Sequence, residues 1–234
     1  MKALLLAAGE GTRLRPITNH IPKCLVPING KALLEYWLES LTQSGIEEFL
    51  INTSYLHNQV VDFVTLSQYK DKITLVYENE LLNTGGTVLA NKDFFNNQPF
   101  MLIHADNLCF CDFSAFIDAH NSRPKGTEIT MMLFYTDTPS SCGIVELNDV
   151  GVVVNFYEKV QNPPSNLANG AVYICEPSVL DFLVNLKKTK ADFSNDVLPN
   201  FMGRINTFIN TYYHRDIGTV ESYEQAKIDI FNLS

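Results

Sequence analysis

Apolar and polar positions along the chain fall into blocks whose period changes in a regular order. Ala3 to Ala7 is an unbroken apolar run of strand length. Lys31 to Ser44 places Leu33, Leu34, Trp37, Leu38 and Leu41 at helical spacing, and Gly45 ends that helix as a C-terminal cap. Glu47 to Asn52 predicts a second strand. Leu56 to Leu66 predicts a second helix with Val60, Phe63 and Val64 on its inner face, and Ile73 to Tyr77 a third strand. Thr84-Gly85-Gly86 opens a helix that runs to about Lys92. Phe100 to His104 is apolar without alternation, as in a parallel strand covered on both faces. Asp112 suits the cap of a helix over Phe113 to His120, and the β-branched and aromatic content of Thr127 to Tyr135 predicts a strand. This alternation of strand and helix implies an α/β protein with a mostly parallel sheet and right-handed crossovers. From Cys142 the texture changes. Gly143 to Leu147, Val152 to Tyr157 and Gly170 to Cys175 read as strands joined by turns, followed by helices over Pro177 to Leu186 and Val220 to Phe231, the last capped by Thr219.

Length and composition narrow the class. A chain of 234 residues makes one domain, or one domain with a small appendage. A net charge of −9 argues against a nucleic-acid binder with a broad basic face. It leaves a phosphate ligand open, because a few focused cations and a metal ion outweigh a distant negative surface. No apolar run approaches the roughly 20 residues that span a bilayer, and Met1-Lys2 leads into a strand with no cleavage-site pattern. The five cysteines form no C-x-x-C, and the odd number suits free thiols in a reducing compartment. Cys109-x-Cys111 is too tight to give two ligands to one zinc ion. The expectation is a cytoplasmic protein with neither a membrane nor a nucleic acid as partner.

The stretch with the most chemistry is Leu4 to Pro27, LLLAAGEGTRLRPITNHIPKCLVP. The first strand ends in a small-residue loop, Ala8-Gly9-Glu10-Gly11-Thr12, followed by Arg13, Arg15 and then Lys23. Glycine lets backbone N–H groups approach an anion closely, and the carboxyl edge of such a sheet is where nucleotides bind. The loop lacks the third glycine of a dinucleotide fingerprint, since position 14 is Leu14, and it lacks the Gly-Lys-Ser/Thr of a P-loop. Read alone, it is either a phosphate-handling loop or a plain strand-to-helix turn with two surface arginines.

LLLAAGEGTRLRPIT followed by PKCLVPING resembles the start of the sugar-1-phosphate nucleotidyltransferases, enzymes of the mannose-1-phosphate guanylyltransferase type among them, with Cys24 in place of the usual proline. The resemblance implies a Rossmann-like, mostly parallel but mixed central sheet flanked by helices, the GT-A-like nucleotidyltransferase fold. It implies one domain over 1–234, with a nucleotide-binding half at 1–110, a sugar-phosphate-binding half at 111–234, and no C-terminal β-helix module. It assigns the catalytic cations to Arg13 and Lys23. Nucleotide contacts fall to Leu6, Ala8, Gly9, Gly11, Thr12, Glu78, Asn83, Thr84 and Gly85. Glu78 and Glu80 match acidic positions of the family's E-x-E-P-L-G-T-A-G-like run, where Leu81 replaces proline and Asn83 replaces glycine.

Further matches carry the remaining roles. Asp106, after Ala105 where the family has glycine, and Asp216, in His214-Arg215-Asp216-Ile217-Gly218-Thr219, match the two aspartates that bind the divalent metal. His104 then stands behind the metal rather than on it, since magnesium prefers oxygen ligands. Glu158 and Lys159 of FYEK, and Asn169, match the contacts to the sugar phosphate, and Asn195 to Pro199 match a pattern before the last strands. The implied substrates are a nucleoside triphosphate and a sugar 1-phosphate, with Mg2+ as cofactor. Glu78 favours GTP, because a carboxylate accepts from both N1–H and the amino group of guanine. Mannose or manno-heptose 1-phosphate is favoured as the sugar, and UTP or dTTP is the alternative base choice. A glycosyltransferase on a similar sheet, or a silent nucleotide-sugar sensor, are readings from other classes.

Overall fold

The computed structural model describes residues 1–233, and within them two compact units that are each discontinuous in the chain. The first unit holds Lys2–Leu81, Ile103–Cys111 and residues 212–233. The second holds Leu82–Leu102 and Asp112–Thr211, together with Met1.

In chain order the elements are β1 (Lys2–Leu6), β2 (Pro27–Ile28), β3 (Lys31–Ala32), α1 (Leu33–Gln43), β4 (Glu48–Thr53), α2 (His57–Leu66) and β5 (Ile73–Tyr77). Next come α3 (Asn83–Ala90), β6 (Phe100–His104), β7 (Asn107–Phe110), α4 (Phe113–Asn121) and β8 (Ile129–Tyr135). They are followed by β9 (Gly143–Leu147), β10 (Val153–Glu158), β11 (Leu167–Cys175), α5 (Ser178–Leu186), β12 (Ile205–Ile209), β13 (Tyr213–Asp216) and α6 (Val220–Leu233). Most predicted elements lie within a residue or two of these bounds. α1 begins at Leu33, because Lys31-Ala32 pairs with Pro27-Ile28 as a small hairpin instead of opening the helix. On α2, Val60 and Val64 are buried as expected, whereas Phe63 is only half-buried.

In the first unit β4 lies between β1 and β5, parallel to both, so the carboxyl ends of the three strands share one edge. α1 buries its apolar stripe completely, and the Trp37 indole N–H donates to the Asn107 carbonyl at 2.8 Å. β7 pairs antiparallel with β13. One apolar cluster, including Leu14, Val26, Leu33, Leu108, Ile217 and Ala226, lies beneath the loops that carry the charged residues. Each Val, Leu or Ile side chain of it contributes about 1.5–3 kcal/mol on burial. Leu14 adjoins Arg13 and Ile217 adjoins Asp216, so packing of the cluster fixes where these charges emerge.

The second unit is mixed. β8 runs parallel to β12 and antiparallel to β11, while β9 and β10 form an antiparallel pair. Its residues after Leu82 show a different use of glycine from the one expected. The N–H groups of Gly85 and Gly86 both donate to the Ala191 carbonyl, at 2.8 and 3.0 Å. A methyl on Gly86 would lie 2.4 Å from the Thr189 carbonyl oxygen. These glycines let α3 press against the chain before Phe193. Gly86→Ala, which helix propensity alone would favour by about 1 kcal/mol, is therefore expected to destabilise by about 1–3 kcal/mol through overpacking. Urea unfolding checks this, and unchanged or raised stability contradicts it. No helix among the described residues is long and apolar enough to cross a membrane.

Candidate active site

The sequence-predicted site residues fall into two groups, one in each unit. In the first unit β1 hands the chain to the loop through Ala7, whose N–H donates to the Asn52 carboxamide oxygen at 2.8 Å. Leu6 is half-buried and Ala8 buried, while Gly9 is exposed. Nothing lies within 4 Å of the point where a Gly9 side chain would begin, so the protein's own packing does not demand glycine there. Gly11 is the opposite case. Its φ is +62°, and an added Cβ would sit 3.0 Å from the Thr18 methyl and 3.1 Å from Lys23 Cβ. Left-handed backbone and close approach both require glycine here. The buried Thr18 hydroxyl donates to the Gly11 carbonyl at 2.8 Å, and Tyr55 donates to the Thr18 carbonyl at 2.9 Å. Thr12 and Arg13 then project from a single 3₁₀ turn, Thr12–Leu14, pinned by buried Leu14. Arg15 pairs with Glu10 at 3.5 Å.

Lys23 follows Pro22 in a second 3₁₀ turn, Lys23–Leu25. Its side chain is only 7% exposed, and its Nζ donates to Asp106 Oδ2 at 2.7 Å and to Asp216 Oδ1 at 3.2 Å. The two carboxylates are 42% and 52% exposed. An ammonium thus bridges two aspartates that are far apart in the sequence. The convergence comes from β7 and β13. Their antiparallel register sets Asp216 opposite Asn107, the residue after Asp106. Burial raises the Asp106 pKa, but the Lys23 charge, the nearby His104 and the Lys23 hydrogen bond together bring it below the ordinary carboxylate value. Arg13 Nη2 lies 3.7 Å from Asp216 Oδ2. Cys24, where the family pattern has proline, is buried and its thiol is pushed up to about 12, so it stays neutral.

The donor set fits a hard divalent ion. Magnesium takes one or two protein carboxylates and fills its shell with water and phosphate oxygens. Asp106 and Asp216 supply two carboxylates that face solvent in part, and among the described residues no cluster of three or more His, Cys, Asp or Glu offers a zinc-type site.

Gly218 is a residue that sequence reasoning named only as part of a motif. A Cβ there would lie 2.6 Å from Asp216 Oδ2 and 3.0 Å from Arg13 Nη2. Gly218→Ala is expected to push both groups aside and lower turnover about 10–10²-fold, since small misplacements of reacting groups cost that much. Steady-state rates at unchanged melting temperature check this, and a normal rate contradicts it.

Glu78 follows β5, is buried, and donates its own N–H to the Thr53 carbonyl at 2.8 Å. Its Oε1 accepts from the buried Asn52 carboxamide nitrogen at 3.1 Å. Asn52 was missed. Its only signal is one amide inside the apolar run of β4.

In the second unit Asn83 has φ +62°. Asparagine is, after glycine, among the residues that best tolerate this backbone, which explains how it stands where the family pattern has glycine. Thr84 is not a helix cap, because the α3 cap position is Leu82. The Thr84 hydroxyl instead accepts from the Phe193 N–H at 2.6 Å and lies 3.4 Å from Asp192 Oδ2. Gly85 is buried, its N–H on Ala191.

Glu158 ends β10 directly across from Gly143, where a Cβ would be 2.8 Å from Glu158 Oε2 and 2.6 Å from the Phe156 ring. Only glycine leaves room for that carboxylate over the strand. Lys159 has φ +51°, strained for a long side chain. Its N–H donates to the Cys142 carbonyl, and its largely exposed ammonium sits 3.4 Å from Glu158 Oε1. Asn169 lies where β11 departs from regular register. Its amide donates to the Tyr173 hydroxyl at 2.6 Å and accepts from the Ala171 N–H at 2.9 Å. Tyr173 is fully buried against Phe193, and burial raises its pKa.

Comparison with known proteins adds a family. The model of the family described as Nucleotidyl transferase matches residues 2–232. A mannose-1-phosphate guanyltransferase of Schizosaccharomyces pombe is 31% identical over 234 residues, covering 95% of this chain and 62% of that protein. A UTP–glucose-1-phosphate uridylyltransferase of Synechocystis is 30% identical over 243 residues, covering 97% of this chain and 62% of that protein. The chain therefore spans a little under two thirds of the length of these curated relatives. Among solved structures, HddC from Yersinia pseudotuberculosis complexed with GMP-PN superposes with a TM-score of 0.82 at 26% identity, covering 98% of this chain and 99% of that one.

Proposed function

The chain belongs to the nucleotidyl transferase family, and on that premise we propose that it joins a nucleoside triphosphate to a sugar 1-phosphate and releases pyrophosphate. The observation that carries the reading is the Lys23 ammonium held between Asp106 and Asp216 with Arg13 beside them, the two cations from the connection between β1 and β2, Asp106 from the turn between β6 and β7, and Asp216 from the last residue of β13. A sugar-phosphate oxygen attacks the α-phosphorus of the triphosphate, the bond to the β-phosphate oxygen breaks, and pyrophosphate leaves. Both reactants are anions, so the barrier lies in their repulsion and in-line placement. A phosphate monoester is already ionised near neutral pH, and no serine, cysteine or histidine base is needed.

The residues divide the work by substrate. Asp106 and Asp216 would hold Mg2+, which would supply positive charge against the phosphates. Arg13 and Lys23 offset the charge that builds on the triphosphate as pyrophosphate departs. Backbone N–H groups from Ala8 to Thr12 take phosphate oxygens, with Gly9 open to their approach. In this reading Leu6 and Glu78 of the first unit, and separately Asn83 and Thr84 of the second, are nucleoside contacts, whereas Gly85, buried with its N–H on Ala191, serves the packing of α3 instead. Glu158, Lys159 and Asn169 receive the sugar phosphate.

GTP is the favoured nucleotide and mannose 1-phosphate or a manno-heptose 1-phosphate the favoured sugar. The Schizosaccharomyces pombe relative and the solved neighbour carrying GMP-PN support this choice. The Synechocystis relative supports a second reading with UTP. Screening pyrophosphate release over GTP, UTP, dTTP and ATP against a panel of sugar 1-phosphates tests both. Pyrophosphate formed with GTP and mannose 1-phosphate or manno-heptose 1-phosphate is the expected result. Free nucleoside diphosphate without pyrophosphate would point to a glycosyltransferase, and binding without turnover to a sensor. Either outcome overturns the proposal.

A further inference from the structure

We infer that Asn52 is a positioning residue that sets base choice by fixing the Glu78 carboxylate, and that this arrangement selects a base presenting a ring N–H beside an exocyclic amine. The inference rests on the proposed nucleotidyl transfer.

Asn52 ends the run Phe49 to Asn52 on β4 and pairs in register with Leu6 of β1, two residues before the loop begins at Ala8. It is 3% exposed. One end of its carboxamide meets Ala7 N at 2.8 Å and the other meets Glu78 Oε1 at 3.1 Å. A carboxamide can usually be turned over without penalty, but here it cannot. The Ala7 backbone N–H is only a donor, so Oδ1 must face it. The amide nitrogen must then face Glu78, and Glu78 Oε1 must be an acceptor. A neutral amide thereby links the backbone at the start of the phosphate loop to one oxygen of a buried carboxylate. The Glu78 main chain is held separately, by its N–H on Thr53. With the backbone and Oε1 both fixed, the plane of the carboxylate is set by the protein before any nucleotide arrives.

A preset carboxylate accepts two parallel hydrogen bonds well only from two adjacent donors. Guanine offers N1–H and its 2-amine side by side, and hypoxanthine offers N1–H alone. A site built to accept from a particular group discriminates strongly against the analogue lacking it, because its own polar atoms are then left unsatisfied. Asn52→Asp keeps the acceptor for Ala7 and replaces the donor facing Glu78 with a like charge. Asn52→Ser shortens the link without adding charge.

The test compares kcat/KM for GTP and ITP, with one sugar 1-phosphate, in the wild type, Asn52→Asp, Asn52→Ser and Glu78→Gln. Each ratio is taken on a single preparation, so partial unfolding cancels. The wild type is expected to prefer GTP over ITP by at least about tenfold. Asn52→Asp and Glu78→Gln should each bring the ratio near one, with Asn52→Ser between, and the loss should appear mainly in KM for GTP. A lower melting temperature with the ratio intact is what a purely structural amide would give, and it overturns the inference. So does a wild type that uses GTP and ITP equally. A ratio that falls in Glu78→Gln and persists in both Asn52 variants removes Asn52 alone and leaves the reaction standing. No pyrophosphate with any triphosphate removes the reaction itself.

Discussion

Lys23→Met is expected to lower turnover about 10²–10³-fold, the usual effect of deleting one group that stabilises developing charge, and at the same time to tighten divalent-cation binding. The two effects have opposite signs because the proposed site gives Lys23 two roles. In the structure its ammonium is the counter-ion of both Asp106 and Asp216. A metal ion that uses those carboxylates competes with it, so removing the ammonium removes a competitor and leaves two negative groups facing each other. Methionine keeps the apolar stem, which is almost wholly buried, so the comparison is not confounded by a cavity. Pyrophosphate release measures the first effect and titration of Mn2+ by electron paramagnetic resonance the second. Near-normal turnover would remove Lys23 from the chemistry. Weaker Mn2+ binding would show that the ion sits elsewhere.

Asp106→Ala is expected to reduce turnover by more than about 10³-fold, a loss on the upper side of single-group effects because two functions go at once. The carboxylate is one of two metal ligands in the proposed site, and it is also the nearer partner of Lys23, at 2.7 Å. Without it Lys23 keeps the longer contact, 3.2 Å to Asp216. Asp106→Asn, which preserves shape, separates these functions, since an amide oxygen can still accept from Lys23 but carries no charge for the ion. Rates measured across Mg2+ concentrations should show no saturable activation in Asp106→Ala. Normal Mg2+ activation in that variant would contradict the assignment.

The strands and helices were legible where one period dominates a long enough window. Ala3 to Ala7, Phe100 to His104 and the Leu33 to Leu41 stripe are of that kind, and the fold class followed from their alternation. β7 was not legible. Asn107 to Phe110 is short, carries an asparagine and a cysteine, and has no alternating pattern; it is a strand because it pairs with β13. That pairing draws Asp216 to Asp106, so local sequence could name the two aspartates through a resemblance but could not show why they meet.

In two places the structure supplies a packing reason for glycine that local sequence does not carry. At Gly11 the backbone and the Lys23 stem both demand it. At Gly85 and Gly86 the N–H groups are spent on Ala191, and the missing side chains make room for Thr189 and Ala191. Thr84 resembles a cap in sequence, yet its hydroxyl serves the Phe193 backbone, a partner more than a hundred residues later. Asn52 shows the same limit. A single amide in an apolar strand predicts a satisfied polar group, and only the three-dimensional neighbours Ala7 and Glu78 say which groups it satisfies.

The most direct measurement is anomalous scattering from crystals grown with Mn2+ and GTP. The account predicts one strong peak within coordination distance of a carboxylate oxygen of both Asp106 and Asp216, with the Lys23 Nζ withdrawn from at least one of them. A peak bound to other residues, with Lys23 still bridging the two aspartates, would contradict it.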